Sequence, residues 1–338
     1  MMTLQKETEM KVRRWFFVFV LVLLGSAWLP LTSAQATPVI DDIAKEGSLT
    51  AAWTAEYTET AAVSVASDAT NGPLIAVPSG GDVYAKEGSL SAAWTEEWAT
   101  ASKVAIASDA TNGPLIAVID ASGNVWAKQG SLTTPWVEEY SGASDAATAV
   151  SVASDPKNGP LIVVLTLAGN VYAKEGSLTA AFTTEYTGAS SPAVSVASDA
   201  TNGPLIAVLN DGTVYAKEGS LTAAWLDEYD TATAVSVASD PTNGSLIAVL
   251  AGSNVYAKEG SMTGATWLDE YNSTSQVAVA SDPTNGPLIA VIDSSHNVWA
   301  KEGSMTGAMW TEETTGGLVS VASDATNGLV IGVSPGVG

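Results

Sequence analysis

Six tryptophans and one phenylalanine each stand three residues ahead of a glutamate: Trp53/Glu56, Trp94/Glu97, Trp136/Glu139, Phe182/Glu185, Trp225/Glu228, Trp267/Glu270 and Trp310/Glu313. An aromatic face beside a carboxylate suits a sugar ring, whose C–H face stacks on the indole while its hydroxyls donate to the oxygens. The same residues suit core packing and ion pairing. In a strand, positions three apart project to opposite faces, so a shared pocket requires neighbouring units to converge.

Lysines are equally regular: Lys45, Lys86, Lys128, Lys174, Lys217, Lys258 and Lys301 sit in an Ala-Lys-Glu/Gln-Gly-Ser motif. A lysine on one strand of a hairpin facing the glutamate of the next reads as an exposed ion pair, worth about 0 to 1 kcal/mol. Asp68, Asp109, Asp155, Asp199, Asp240, Asp282 and Asp324 each close an Ala-Ser-Asp run. A ring of carboxylates offers the oxygens a hard cation takes. An aspartate heading a hairpin turn, however, ordinarily accepts backbone N–H groups as an Asx-turn, and no calcium-loop motif accompanies these. His296, the single histidine, lies in the loop Asp-Ser-Ser-His-Asn and reads as a solvated turn residue.

Catalysis needs a unique constellation, and a site built from residues present in every copy would exist sevenfold. There is no cysteine, one loop histidine, and the only arginines are Arg13 and Arg14. Thiol chemistry and histidine-based metal sites are excluded, and so are arginine clamps on anionic substrates. The expectation is a non-enzyme that calls for neither cofactor nor metal.

The elements that hold these residues are repeats. The lysines recur at intervals of 41 to 46 residues, and the aspartates are spaced alike. In one unit, Ala193 to Asp199 reads as a strand, Ala-Thr-Asn-Gly as a turn, Leu205 to Leu209 as a second strand and Asn-Asp-Gly as a second turn. Thr213 to Gly219 is the third strand and Ala223 to Tyr229 the fourth. A period near 42 with four strand-sized runs predicts an all-β, seven-bladed β-propeller of four-stranded antiparallel blades. The chain opens on a third and fourth strand (Val39 to Tyr57) and ends on a first and second (Leu318 to Val333). N- and C-terminal half-blades therefore complete one blade, a 2+2 closure that removes open sheet edges. Loops after strands one and three hardly vary, whereas loops after strands two and four carry nearly all the length variation.

Ahead of the repeats, Lys11, Arg13 and Arg14 precede an apolar run from Trp15 to Leu31 and then Ala34-Gln35-Ala36. This order predicts a cleaved secretory signal over residues 1–36, a mature propeller over 37–338 and an extracellular location. Beyond residue 36 the chain holds nine lysines against 34 carboxylates, a net charge of −25. Such a field repels phosphate backbones and anionic lipid, which excludes nucleic acid and, after signal cleavage, membranes as partners.

The order of a small-residue strand, Asp-x-x-Asn-Gly, a second strand, a tight turn and an aromatic third strand resembles the rhythm of WD40-type blades over 39–333. In architecture the chain is similar to lectin propellers, the tachylectin-2-like and fungal fucose-binding ones, within a secreted bacterial-type repeat group. That resemblance implies a multivalent carbohydrate-binding module with a site per blade or blade interface. The other reading is an extracellular protein-interaction or scaffold propeller that uses the variable rim, with one site per chain.

Overall fold

A computed structural model describes residues 41–58, 60, 62–190 and 192–335; the expected signal over 1–36 lies outside them. Strand follows strand through the described residues, and four-stranded antiparallel sheets form, six of them in sequence order. Blade 1 (64–98) holds β3 (Ser64–Asp68), β4 (Gly72–Ser79), β5 (Asp82–Glu87) and β6 (Thr95–Trp98). Blades 2 to 6 span 101–140, 147–186, 193–229, 232–272 and 274–315 in the same way. Blade 7 combines β1 (Asp42–Gly47) and β2 (Thr54–Tyr57) with β27 (Leu318–Asp324) and β28 (Gly328–Ser334), in the order β2-β1-β28-β27. Ile43 faces Val333 and Lys45 faces Ile331 across the seam, so the two ends close the ring as the truncated repeats predict.

Burial changes from strand to strand in the way a propeller demands. Second strands such as β4 are apolar on both faces, because each is covered by the blades on either side, and Leu74 and Ile75 are fully buried. Each such side chain contributes about 1.5–3 kcal/mol. Third strands alternate, and fourth strands lie at the outer edge, half-exposed. First strands line the axis, where Ala, Ser and Val, with Ile106 in blade 2, surround a channel of about 190 Å³.

The unvarying rim has a steric and a polar cause. Gly72 has φ +76° in the first turn, and a Cβ there would stand 2.8 Å from the carbonyl oxygen of Gly88 in the third. Behind it, each Ala-Ser-Asp aspartate accepts two backbone N–H groups of its own turn, Asp68 those of Thr70 and Asn71 at 2.8 Å. Its other oxygen accepts the serine hydroxyl of the next blade: Ser108 to Asp68, Ser154 to Asp109, and so on through Ser67 to Asp324. Seven such bonds form an unbroken belt. The Asx-turn reading holds, and the same carboxylate also locks blade to blade.

Two expectations are corrected here. Fourth strands are shorter than the sequence suggests: β18 is Leu226–Tyr229, so Trp225 precedes it in the turn, and the opposite-face rule for residues three apart does not govern the pair. The Lys–Glu pairs do not span a hairpin at the surface. Each joins adjacent blades and is buried, with side chains 0–5% exposed. A bulge in the fourth strand accompanies this: Val83 and Tyr84 of β5 face Trp98 and Glu96 of β6, leaving Glu97 unpaired in its own sheet, and Glu97 pairs with Lys128 of the next blade.

Candidate inter-blade clefts

Each blade interface repeats one constellation. Lys86 of blade 1 pairs with Glu56 of blade 7, donates to the Leu90 carbonyl of its own turn, and lies 5.0 Å from the centre of the Trp94 ring. A carboxylate, a carbonyl and a π face together satisfy the ammonium group. The Trp94 indole N–H then donates to the Glu56 carbonyl at 3.0 Å. Trp136 does the same to Glu97, Trp225 to Glu185, Trp267 to Glu228, Trp310 to Glu270 and Trp53 to Glu313. The structure therefore separates Trp53 from Glu56 and brings Glu56 to Trp94. Every Trp–Glu column meets its neighbour's partner around the ring, and Glu139 meets Phe182 and Lys174.

Burial raises the carboxyl pKa of Glu56, Glu97, Glu228, Glu270 and Glu313, while hydrogen bonding and the charge of the facing lysine oppose it. Lys174 is pushed down to about 8 by burial. Its interface is the one where phenylalanine stands in place of tryptophan, so the Glu139 carbonyl lacks an indole donor. Phe182→Trp supplies that donor. The variant is expected to gain about 0.5–1.5 kcal/mol in denaturant unfolding, the net value of one hydrogen bond.

Outside this buried layer lies a second aromatic set that the sequence reading did not single out. The aromatic residue just after the repeated glutamate, at or next to the end of one blade's fourth strand, meets the third-strand ring of the next blade. Tyr57 stacks on Tyr84 at 5.1 Å and 28°, and meets Trp94 edge-on at 5.1 Å and 80°. Trp98 meets Trp126 and Trp136; Tyr140 meets Tyr172 and Phe182; Tyr229 meets Tyr256 and Trp267. Interfaces 3/4 and 5/6 follow suit through Tyr186 and Tyr271. The signal was present: an aromatic two residues before the repeated lysine, and another just after the repeated glutamate. It becomes readable only when residues of neighbouring copies are set side by side.

These rings are half-exposed, and between blades 7 and 1 they wall a cleft of about 330 Å³ lined by Asp41, Ala55, Glu56, Tyr57, Thr58 and Trp94. Apolar ring surface with a carboxylate and hydroxyls at its margin can stack a flat ligand and accept hydrogen bonds from it. A second recess, about 460 Å³, lies on the unvarying rim between blades 5 and 6, lined by Asn243, Glu259, Thr284, Asn285 and Ser304 among others. It opens because the turns part there: a Cβ on Gly244 would be 3.6 Å from the Gly260 carbonyl oxygen. No aromatic residue lines it. His296 is an exposed turn residue at φ +66°.

No family model and no curated protein sequence matches the chain. Solved structures do. A chain of the mitotic checkpoint complex aligns at TM-score 0.52 and 12% identity over 81% of this chain and 89% of that one. The BBS1N chain of its complex with ARL6DN gives 0.51 and 14%, over 78% and 87%. The six-bladed fucose-recognising lectin of Aleuria aurantia gives 0.49 and 11%, over 76% and 95%. At these identities the likeness is one of fold alone. The chain is a β-propeller.

Proposed function

We propose that this protein is a secreted, non-catalytic, multivalent binding module whose ligand is carbohydrate and whose binding surfaces are the inter-blade clefts. One observation carries the reading: at interface after interface, half-exposed rings of two blades converge beside carboxylates, although the buried layer beneath them already holds the blades together. Repetition of weak, similar sites in a rigid ring gains avidity toward a multivalent target. The Trp and Glu columns serve this indirectly. Trp94 contributes ring surface to the cleft, while the Glu56 side chain is engaged by Lys86 and its backbone carbonyl by the indole.

A calorimetric titration after a glycan screen tests the reading. Several equivalent sites per chain are expected, with little loss of affinity as salt rises, since stacking rather than charge holds the ligand. Absence of binding to every glycan, together with one protein partner bound per chain, favours the interaction propeller and its variable rim.

A further inference from the structure

We infer that the ring carries six saccharide clefts rather than seven, and that they take uncharged or amino-bearing sugars and reject acidic ones; this rests on the carbohydrate reading above. Seven interfaces exist, but the aromatic pair is not sevenfold. Between blades 6 and 7, Thr314 occupies the place of Tyr57 and Ile43 the place of Tyr84. Trp53 remains there, donating to the Glu313 carbonyl at 3.1 Å, so the buried layer is complete while the outer wall is missing. In the clefted interface Tyr57 is the wall and Tyr84 backs it. Threonine and isoleucine present no flat face, and a pyranose loses the surface it would stack on.

The charge restriction follows from where the cations are. Seven of the nine lysines beyond residue 36 are spent in the buried inter-blade pairs. Among the described residues only Lys103 and Lys157 are exposed cationic lysines, and neither lines the cleft between blades 7 and 1. Around the rings stand carboxylates instead: Asp82 and Glu96 act on Tyr57, Asp269 on Tyr229, Glu312 on Tyr271. A uronate, sialate or sulfated sugar meets like charge with no counter-ion, whereas an ammonium group is attracted.

Calorimetry with methyl glycosides of neutral hexoses, 6-deoxyhexoses, N-acetylglucosamine, glucosamine, glucuronate and sialic acid reads both claims. About six sites per chain are expected for any neutral or amino glycoside that binds. Tyr229→Ala should lower the count to about five, and Ile43→Tyr with Thr314→Tyr should raise it to about seven. A wild-type count of seven or of one, or tighter binding of glucuronate than of its neutral parent, overturns the inference while leaving the carbohydrate reading standing. No binding by any glycoside overturns both. Should the double variant misfold, the Tyr229→Ala count and the wild-type count still decide the matter.

Discussion

Replacing Lys258 by methionine lowers the stability of the ring by about 3–5 kcal/mol, the cost of stranding a buried charge. Glu228 then keeps its place between two blades with its counter-ion gone. The Met262 carbonyl, which accepts from Lys258 at 2.8 Å, and the Trp267 face 5.4 Å away lose their partner with it. Removing both charges, Lys258→Met with Glu228→Leu, should return the ring to within about 1–2 kcal/mol of the parent, because an apolar pair leaves no ion without a partner. Denaturant unfolding of the four proteins of this cycle measures the coupling. If the pair were at the surface, the single variant would cost less than about 1 kcal/mol. The single variant should also recover toward low pH: burial already raises the Glu228 pKa, and without Lys258 the carboxyl takes up its proton more readily, which removes the stranded charge.

The seven blades and their closure are legible because repetition carries them: the period, the four runs per copy and the oppositely truncated ends each point to a ring, and β27–β28 join β1–β2 as those ends require. The Asx-turns are legible for the same reason, since Asp and Asn-Gly sit in fixed relation within one copy. The pairing of Lys86 with Glu56 is not. Both residues occur in every copy, so the spacing inside one unit cannot say whether a lysine reaches its own glutamate or its neighbour's. The outcome depends on the bulge in the fourth strand and on blade-to-blade packing, neither of which the residue spacing inside one copy reveals. The cleft was missed for the same reason. Tyr57 and Tyr84 are 27 residues apart and belong to different sheets, and no spacing inside one copy sets them side by side.

Acidification should stabilise the closing blade, and Asp42→Val should abolish that response. Asp42 stands where the other blades have valine, in the third strand two residues from Ala44, and it is fully buried. Thr60 donates to one of its oxygens; the other is buried without a hydrogen-bond partner. Burial raises its pKa from 3.8 to about 6, against the Thr60 bond and with the nearby charges of Asp41 and Glu56 adding to the rise. Because the folded value lies above the unfolded one, the contribution is complete below about pH 4 and is lost as pH climbs through 6. The difference amounts to about 3 kcal/mol, at 1.36 kcal/mol for each pH unit between the two values. It acts on the seam where β1 meets β28, whose Ser334 is likewise fully buried with an unpartnered hydroxyl. Urea unfolding of the parent at pH 4 and pH 7.5 should therefore show the ring weaker at the higher pH by a difference that Asp42→Val removes, the variant being the more stable of the two at pH 7.5. Asp42→Asn separates charge from polarity: it should lose the pH response yet gain less than valine, since its amide remains a polar group in an apolar layer. A response to pH that persists in both variants would assign the titration to the inter-blade glutamates, whose raised values have the same sign but recur at other interfaces around the ring.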